Sequence, residues 1–206
     1  MALFVLNHPL SGHLLASLRD KNTDGHRFRQ AARQLTALLV IEATKKIGTK
    51  RTKVETPLET ASVSILSQGL AVVPILRAGL GMLDPVLEMF PDVSVGYIGL
   101  ERNESTAVAH SYYCKLPDMR GKYVLCVDPM LATGGSASQA ISLIKTHGGA
   151  PIVMVSVVAT PEGISKIEED HPDIDIVTAA VDRGLNDRKY ILPGLGDFGD
   201  RLFGTM

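Results

Sequence analysis

Five apolar runs of strand length occur after residue 68, and they constrain the fold more than any other feature. The runs are LAVVPIL (70–76), VSVGYIGL (93–100), KYVLCVD (122–128), PIVMVSVVA (151–159) and DIVTAAVD (175–182). Strands this apolar are typical of a parallel sheet covered on both faces. Helices are predicted between them at 80–90, 136–147 and 162–170. The alternation predicts an α/β fold with a doubly wound, mostly parallel sheet flanked by helices.

The secondary structure of the first 66 residues is predicted from candidate helix caps and from alternation of polar and apolar side chains. The first 50 residues predict two helices, a short one capped by Ser11 and a longer one running to about Ile47. Asn22, Thr23 and Asp24 are the candidate caps of the longer helix. Residues 50–66 alternate polar and β-branched side chains and predict a peripheral strand pair.

No shift in composition marks a domain boundary, so we expect a single domain over 1–206. It would comprise a helical part (about 1–50), a core (about 68–182) and a tail (about 183–206). We expect the tail to fold back as a small hood over the sheet edge. Its PGLGDFGD block has three glycines and two aspartates, which disfavours a helix or a strand.

Charge and composition exclude several classes of protein. The chain has 206 residues, 21 Lys+Arg and 22 Asp+Glu, and a net charge of −1, which predicts neither nucleic-acid nor membrane binding. No apolar run approaches the roughly 18 residues of a membrane span, and the N-terminus lacks the pattern of a signal peptide. Cys114 and Cys126 form no disulfide framework, and the six histidines lack metal-ligand spacing. We therefore expect a cytoplasmic protein.

Residues 124–141 (VLCVDPMLATGGSASQAI) carry the strongest functional signal. A buried strand ends at Asp128, and Thr133-Gly134-Gly135-Ser136 then opens a helix. Small residues at a helix N-terminus expose several backbone N–H groups, which favour an anion such as one phosphate monoester. Asp128 can accept from the two hydroxyls of a ribose. The alternative is a plain tight turn with a helix cap.

The Asp-Pro-Met-Leu-Ala-Thr-Gly-Gly-Ser form of this segment resembles the phosphoribosyl-diphosphate motif of the type I phosphoribosyltransferases, and in particular their uracil branch. Most type I enzymes have two adjacent acidic residues where this chain has Asp128-Pro129, a departure that is typical of the uracil branch. VVPILRAGLGM (72–82), ERNES (101–105) and residues 186–205 also resemble that branch, so the similarity runs from about residue 26 to the end.

The resemblance implies a set of site residues. Three of them would be catalytic: Asp128, Asp197 and Arg102. Those that would bind 5-phospho-α-D-ribose 1-diphosphate are Arg77, Arg102, Asp128, Pro129, Met130, Leu131, Ala132, Thr133, Gly134, Gly135, Ser136 and Asp197. Those that would contact uracil are Ile191, Gly196, Asp197 and Phe198, mainly through backbone groups.

The resemblance also implies an activity, which is the conversion of uracil and 5-phospho-α-D-ribose 1-diphosphate to UMP and diphosphate. It implies Mg²⁺ held mainly through substrate diphosphate and water, a homodimer or homotetramer, and in some members a GTP effector. One departure lies after Arg102. Where the family usually has an acidic residue and Thr-Leu-x-Pro, this chain has Ser105-Thr106-Ala107-Val108-Ala109.

Several alternatives stay open at this point. The chain can be a phosphoribosyltransferase for another base, or an RNA-binding regulator of a pyrimidine operon on the same fold. Arg77 can form a salt bridge with Asp84 or Glu88 instead of binding diphosphate, and Arg102 can be a solvated surface charge. The acidic tail resembles a calcium loop only weakly, because it lacks EF-hand spacing.

Overall fold

The computed structural model describes residues 1–102 and 109–205, and only the backbone of residues 101, 102 and 109–111. The strands are β1 (Leu3–Val5), β2 (Thr49–Glu55), β3 (Thr60–Leu66), β4 (Gly69–Leu76), β5 (Ser94–Val95), β6 (Tyr97–Arg102), β7 (Ala109–Lys115), β8 (Lys122–Val127), β9 (Met130–Leu131), β10 (Ile152–Ala159), β11 (Asp175–Val181), β12 (Gly184–Leu185) and β13 (Ile191–Leu192). The helices are α1 (Pro9–Arg19), α2 (Gly25–Ala43), α3 (Leu83–Met89), α4 (Gly135–Thr146), α5 (Pro161–Asp170) and α6 (Phe198–Phe203), and a 3₁₀ turn spans Ala78–Met82.

The main sheet has the strand order β1-β11-β10-β8-β4-β6-β7, with β5 paired to β4 and β9 to β10. Its pairs are parallel except for β6 with β7. From β4 the chain first adds β6 on one side, and then β8, β10 and β11 on the other. The winding direction therefore reverses between β4 and β8. The predicted α/β fold with a doubly wound, mostly parallel sheet is confirmed.

The two faces of the sheet carry separate hydrophobic clusters. Neighbouring strand residues alternate between them, so that Val72 belongs to one cluster and Val73 to the other. Side chains of α1, α2 and α3 cover the first face, and those of α4 and α5 cover the second. All eight residues of β10 are buried. The prediction of strands covered on both faces is therefore confirmed.

The amino-terminal prediction is partly wrong. Residues Leu3–Val5 form β1, which pairs with β11, where helical structure was expected. Helix α1 begins at Pro9 with His8 as its cap, because the His8 side chain accepts from the Leu10 N–H at 3.1 Å. Ser11, the predicted cap, lies inside the helix and donates to the His8 carbonyl at 2.8 Å.

Helix α2 begins after Asp24, one of the three predicted caps, whose carboxylate accepts from the Arg27 N–H at 2.9 Å. It ends at Ala43 instead of Ile47. The Thr44 hydroxyl donates to the Val40 carbonyl at 2.7 Å, and this local bond accompanies the end of the helix. The predicted pair at 50–66 is confirmed as the antiparallel hairpin of β2 and β3.

Two core elements also differ from prediction. The run 93–100 is split at Gly96 into β5 and β6. A Cβ at Gly96 would lie 2.7 Å from a Leu116 methyl group, so the close packing at this break favours glycine. The predicted helix 80–90 becomes α-helical only at Leu83, after the 3₁₀ turn. None of the described helices is both long and apolar enough to cross a bilayer.

Candidate active site

The candidate site lies where the winding of the sheet reverses. Strands β4 and β8 are adjacent and parallel, with Pro74 opposite Val127. Arg77 follows the end of β4, and Asp128 follows the end of β8. The crevice outside the carboxyl ends of strands at a reversal point is where doubly wound sheets bind their ligands. The sheet topology therefore gives both residues a position expected for ligand contact.

The loop of residues 128–136 is held against the sheet by backbone pairing. Its residues Met130–Leu131 form β9, which continues the sheet beside β10 at Val158 and Ala159. The Pro129 carbonyl accepts from the N–H groups of Val157 and Val158 at 3.0 Å each. The side chains of Pro129 and Leu131 are buried, so they hold the loop in place while their neighbours face the site.

The loop ends at Gly134, the cap of α4, with a φ of 79°. A Cβ at Gly134 would lie 2.9 Å from the Gly163 carbonyl oxygen and 2.8 Å from Lys166 Cβ, so only glycine fits. Glycine also offers no side-chain acceptor to the first N–H groups of α4. These groups, next to Thr133 and Ser136, retain the capacity to bind an anion that the sequence predicts.

Asp128 is the titratable group of the loop. Burial raises the pKa of its carboxyl group to about 7. A hydrogen bond that the Met130 N–H donates to it at 3.3 Å has the opposite, smaller effect. Desolvation disfavours the charged form of a carboxyl group, which explains the direction. A group with this pKa changes between neutral and charged forms near neutral pH and responds strongly to a ligand that donates hydrogen bonds to it.

The tail supplies the opposite side of the site. After the hairpin of β12 and β13, the chain runs through Gly194 and Gly196, with φ values of 63° and 81°, into helix α6. Helix α6 corrects the prediction that PGLGDFGD disfavours a helix. Asp197 caps it, accepting from the Asp200 N–H at 2.9 Å, and Phe198 is buried edge-on against Phe28.

One cavity of about 230 Å³ brings the two regions together. The residues that line it are Ala78, Asp128, Met130, Ala132, Lys189, Tyr190, Ile191, Gly196, Asp197, Phe198 and Gly199. Seven of these are predicted site residues, drawn from both the 128–136 loop and the tail. Ala78, Lys189, Tyr190 and Gly199 were not predicted, although Ala78, Tyr190 and Gly199 each neighbour a predicted residue in the sequence.

The two predicted arginines are placed differently. Arg77 forms a 3.4 Å ion pair with Asp200 of α6. The alternative pairing of Arg77 with Asp84 or Glu88 is wrong, because Arg33 of α2 pairs with both of those carboxylates. The backbone of Arg102 ends β6 opposite Ala109. Its side chain, and most of the atypical segment 105–109, lie outside the described structure.

Known proteins of one family are similar to this chain over almost its whole length. Residues 5–205 match the family profile described as uracil phosphoribosyltransferase. The uracil phosphoribosyltransferases of Latilactobacillus sakei and Dictyoglomus thermophilum are 51% and 50% identical to the chain. They align with 100% and 98% of it and with 100% and 99% of their own lengths.

Solved structures agree with the sequence comparison. The AQ2163 protein of Aquifex aeolicus superposes with a TM-score of 0.93 at 40% identity, covering 98% of this chain and 97% of that one. The adenine phosphoribosyltransferase of Trypanosoma brucei, at 12% identity, shares the fold with a TM-score of 0.60 over 91% of this chain and 87% of its own. The chain belongs to the uracil phosphoribosyltransferase family, a family of pentosyl-transferring enzymes.

Proposed function

We propose that the protein transfers the phosphoribosyl group of 5-phospho-α-D-ribose 1-diphosphate to uracil, giving UMP and diphosphate. In this reaction the bond between the anomeric carbon and the diphosphate oxygen breaks, and a bond from that carbon to a ring nitrogen of uracil forms. That nitrogen loses its proton, which passes to solvent or to the departing diphosphate. One observation carries the proposal. A single cavity is lined both by Asp128, Met130 and Ala132 of the 128–136 loop and by the tail, which is suited to a small planar base. The residues assigned to the phosphate, 133–136, follow Ala132 in the chain and are not among those that line the cavity.

The 128–136 loop is assigned to the ribose phosphate. The N–H groups at the start of α4, with the hydroxyls of Thr133 and Ser136, are suited to the 5′-phosphate because a helix N-terminus attracts anions. Asp128 is assigned to the ribose hydroxyls, which donate to its carboxylate. Hydrogen bonds from the ribose hydroxyls favour the charged form of Asp128 and lower its pKa, which burial has raised. Substrate binding is therefore expected to shift Asp128 towards its ionised carboxylate form.

The diphosphate is assigned to Arg77 and Arg102. Guanidinium groups bind phosphate oxygens through two parallel hydrogen bonds and stay charged at any physiological pH. The Arg77 side chain is 59% exposed, and its ion pair with Asp200 is long at 3.4 Å. Such an exposed pair contributes little, so exchanging it for a multiply charged diphosphate is favourable.

Recognition of the base is assigned to the backbone of Ile191, Gly196 and Phe198. Uracil presents an acceptor, a donor and an acceptor along one edge, whereas cytosine has an amino donor in place of one acceptor. A backbone N–H directed at that position would face a donor and leave two buried donors unpaired. Mismatches of this kind are known to give discrimination factors of about 10⁴.

The mechanism requires no covalent nucleophile. As the glycosidic bond breaks, positive charge develops on the ribose and negative charge on the departing diphosphate. The proposed contacts hold the base and the anomeric carbon in line and stabilise the diphosphate charge, which are effects of positioning and electrostatics. Asp197, next to both the base contacts and the cavity, is assigned to orienting the ribosyl diphosphate.

The residues at the cavity fit an Mg²⁺ ion that arrives with the substrate. Asp128 and Asp197 each place one carboxyl group on the cavity, and the described residues contain no cluster of three metal-ligating side chains. Mg²⁺ is commonly bound by one or two carboxylates together with substrate phosphates and water. When bound, it supplies positive charge that stabilises the diphosphate leaving group.

The direct test measures product formation from 5-phospho-α-D-ribose 1-diphosphate with uracil, cytosine, hypoxanthine and guanine as separate acceptors. We expect UMP from uracil and turnover of the other bases lower by at least two orders of magnitude. Absence of UMP with uracil, or faster turnover of another base, would overturn the proposal. Diphosphate release measured in parallel distinguishes transfer to the base from hydrolysis.

The proposal extends to assembly, effector and location. We propose a cytoplasmic homodimer or homotetramer whose rate responds to GTP, on the strength of the family resemblance alone. Light scattering is expected to give two or four times the 22.1 kDa chain mass, and initial rates are expected to rise when GTP is added. A monomeric mass, or rates unchanged by GTP, would contradict the corresponding part.

A further inference from the structure

We propose that Arg19 and Asp182 are positioning residues for base recognition, because together they fix both backbone polar groups of Gly194. Gly194 belongs to the tail loop (residues 193–197), which precedes helix α6. The inference deepens the proposed function and rests on it, since it identifies what orients the loop that is assigned to uracil.

Three groups form a closed set of hydrogen bonds. Asp182, directly after β11, accepts from the Gly194 N–H at 2.9 Å through Oδ2. Arg19, the last residue of α1, donates through Nη1 to the Gly194 carbonyl at 2.7 Å. Arg19 and Asp182 are joined to each other by two further bonds, of 2.9 and 2.5 Å. Both polar groups of one peptide residue are thereby held by one ion pair.

The pair is largely removed from water. The Asp182 side chain is 4% exposed and that of Arg19 is 25% exposed. Charge-assisted bonds in such surroundings are shorter and more directional than bonds between neutral groups. The loop has no neighbouring strand in the described structure to satisfy Gly194, so these side chains take the place of a sheet ladder.

The tail loop separates two cavities. Gly196 lines the candidate active site and also a second cavity of about 270 Å³, to which Arg19 and Gly194 contribute. The guanidinium group of Arg19 therefore acts from behind the loop. A side chain in this position does not touch substrate in the cavity of the site, yet it determines where the loop backbone lies.

Arg201 holds the next carbonyl in the same way. It donates to Leu195 at 2.8 Å, to Asp20 at 2.6 Å and also to Leu18, and it stacks on the Phe28 ring at 4.4 Å. Two consecutive carbonyls of the tail loop, those of residues 194 and 195, are thus engaged by two arginines. The orientation of the peptides that follow, including Gly196, is consequently set by these contacts.

The expected consequence is specific to the base. Loosening Gly194 allows the tail loop to turn its donors and acceptors away from the positions that match uracil, and it relaxes the penalty against a mismatched base. The 128–136 loop is held by β9 and β10, and Asp197 is held separately as the cap of α6. Binding of 5-phospho-α-D-ribose 1-diphosphate is therefore expected to change little. A rise in the KM for uracil without a rise in the KM for 5-phospho-α-D-ribose 1-diphosphate therefore distinguishes a role in positioning the base from a general loss of structure.

The experiment compares the wild-type enzyme with Arg19→Ala and Asp182→Asn. For Arg19→Ala we expect the KM for uracil to rise about tenfold, which matches the loss of one charge-assisted hydrogen bond. The KM for the ribosyl diphosphate should stay within about twofold, and the preference for uracil over cytosine should fall about tenfold. Asp182→Asn keeps an acceptor for the Gly194 N–H, so its KM for uracil should lie between those of wild type and Arg19→Ala.

Arg33→Ala is the matched control, because it removes an arginine with two ion pairs, to Asp84 and Glu88, away from the tail loop. Its KM for uracil should equal that of wild type. If Arg19→Ala fails to fold, Arg19→Lys keeps the charge but not the forked geometry, and it should raise the KM for uracil about threefold.

The inference is overturned if the folded Arg19 variant has a wild-type KM for uracil, or if both KM values rise equally. It is overturned as well if Arg33→Ala shows the same split. Failure of the proposed function is distinguishable, because it would appear in the wild-type enzyme as an absence of UMP formation. An active wild type with an unaffected Arg19 variant overturns only the inference drawn from the Arg19–Asp182 pair.

Discussion

The two sides of the candidate active site are built by different means. The 128–136 loop is an extension of the sheet, because β9 pairs with β10 and the Pro129 carbonyl accepts from two strand N–H groups. The tail loop has no such support and is held by the side chains of Arg19, from the distant helix α1, and of the nearer Asp182 and Arg201. One side is fixed by backbone pairing, and the other by side-chain hydrogen bonds.

The difference bears on how each side of the site should respond to substitution. Backbone pairing is nearly independent of side-chain identity, so the 128–136 loop keeps its geometry when its surroundings vary. A loop held by side chains changes when any of those side chains changes. We therefore expect substitutions on the first side to act at the substituted residue, and those on the second side to act from a distance.

The largest effect is expected for Asp128→Asn. It removes a carboxylate assigned to the ribose hydroxyls, and the loss of charge-assisted bonds should lower kcat/KM by a hundredfold or more. Steady-state kinetics with both substrates measures the change, and circular dichroism checks the fold. Near-normal activity would show that the role given to the 128–136 loop is wrong.

The same variant is expected to change stability with pH in a defined direction. Because burial raises the pKa of Asp128 from 3.8 to about 7, the folded state holds this proton more tightly than the unfolded state. The contribution of protonated Asp128 to the stability of the folded state is fully present below pH 3.8 and is lost as the pH rises through about 7. At pH 8 the Asn variant should therefore be more stable than wild type by about 1–3 kcal/mol. Urea unfolding at pH 5 and pH 8 measures this, and an equal difference at both values would contradict it.

The next effect is expected for Gly134→Ala, compared with Gly121→Ala. Both glycines have positive φ, 79° and 71°, but a Cβ at Gly134 meets Gly163 and Lys166 whereas one at Gly121 meets nothing within 4 Å. Both substitutions therefore introduce backbone strain, but only Gly134→Ala is expected to displace the 128–136 loop. Gly134→Ala should raise the KM for the ribosyl diphosphate about tenfold or more. An equal effect of Gly121→Ala would show that strain alone is responsible.

A smaller effect distinguishes the two functions of Asp197. Asparagine at this position is as good a helix cap as aspartate, whereas alanine is not. Asp197→Asn should keep the stability of wild type within a few tenths of a kcal/mol, and Asp197→Ala should lose about 1 kcal/mol. Both should reduce kcat/KM about tenfold if the charge orients the ribosyl diphosphate. Full activity of the Asn variant would assign Asp197 to capping alone.

The smallest effect is expected for Asp200→Asn, which removes the ion pair between Arg77, at the end of β4, and helix α6. The side chains of Arg77 and Asp200 are 59% and 34% exposed, and exposed pairs contribute about 0–1 kcal/mol. The unfolding free energy should change by less than about 1 kcal/mol. A larger loss, measured by urea unfolding, would mean that helix α6 depends on its contact with the end of β4 for stability.

The 128–136 loop could be predicted from sequence because its signals are local. An apolar strand, Asp128 at its end, and small residues at the start of a helix all lie within residues 122–136, and the topology of a parallel sheet places the end of that strand at the site. The sheet itself could be predicted for the same reason, since β4, β8, β10 and β11 are continuous apolar runs.

The tail could be predicted only in part. Its residues were identified by resemblance, but helix α6 was missed, because the glycines and aspartates that disfavour a helix also include its cap, Asp197. The contacts that hold the tail loop join Arg19 to Gly194 and Leu18 to Arg201, pairs separated by 175 and 183 residues. No local pattern contains such pairs. Strand β1 was missed for a similar reason, since three residues become a strand only by pairing with β11.

These long-range contacts have a consequence for how the enzyme is made. Synthesis proceeds from the amino end, so α1 is made long before Arg201, and the tail loop requires both. A nascent chain that lacks its final residues can form β4, β8 and the 128–136 loop, since domains acquire structure during synthesis. It contains no assembled tail loop. A chain that has not yet reached Arg201 is therefore expected to lack the ordered backbone groups that we assign to uracil.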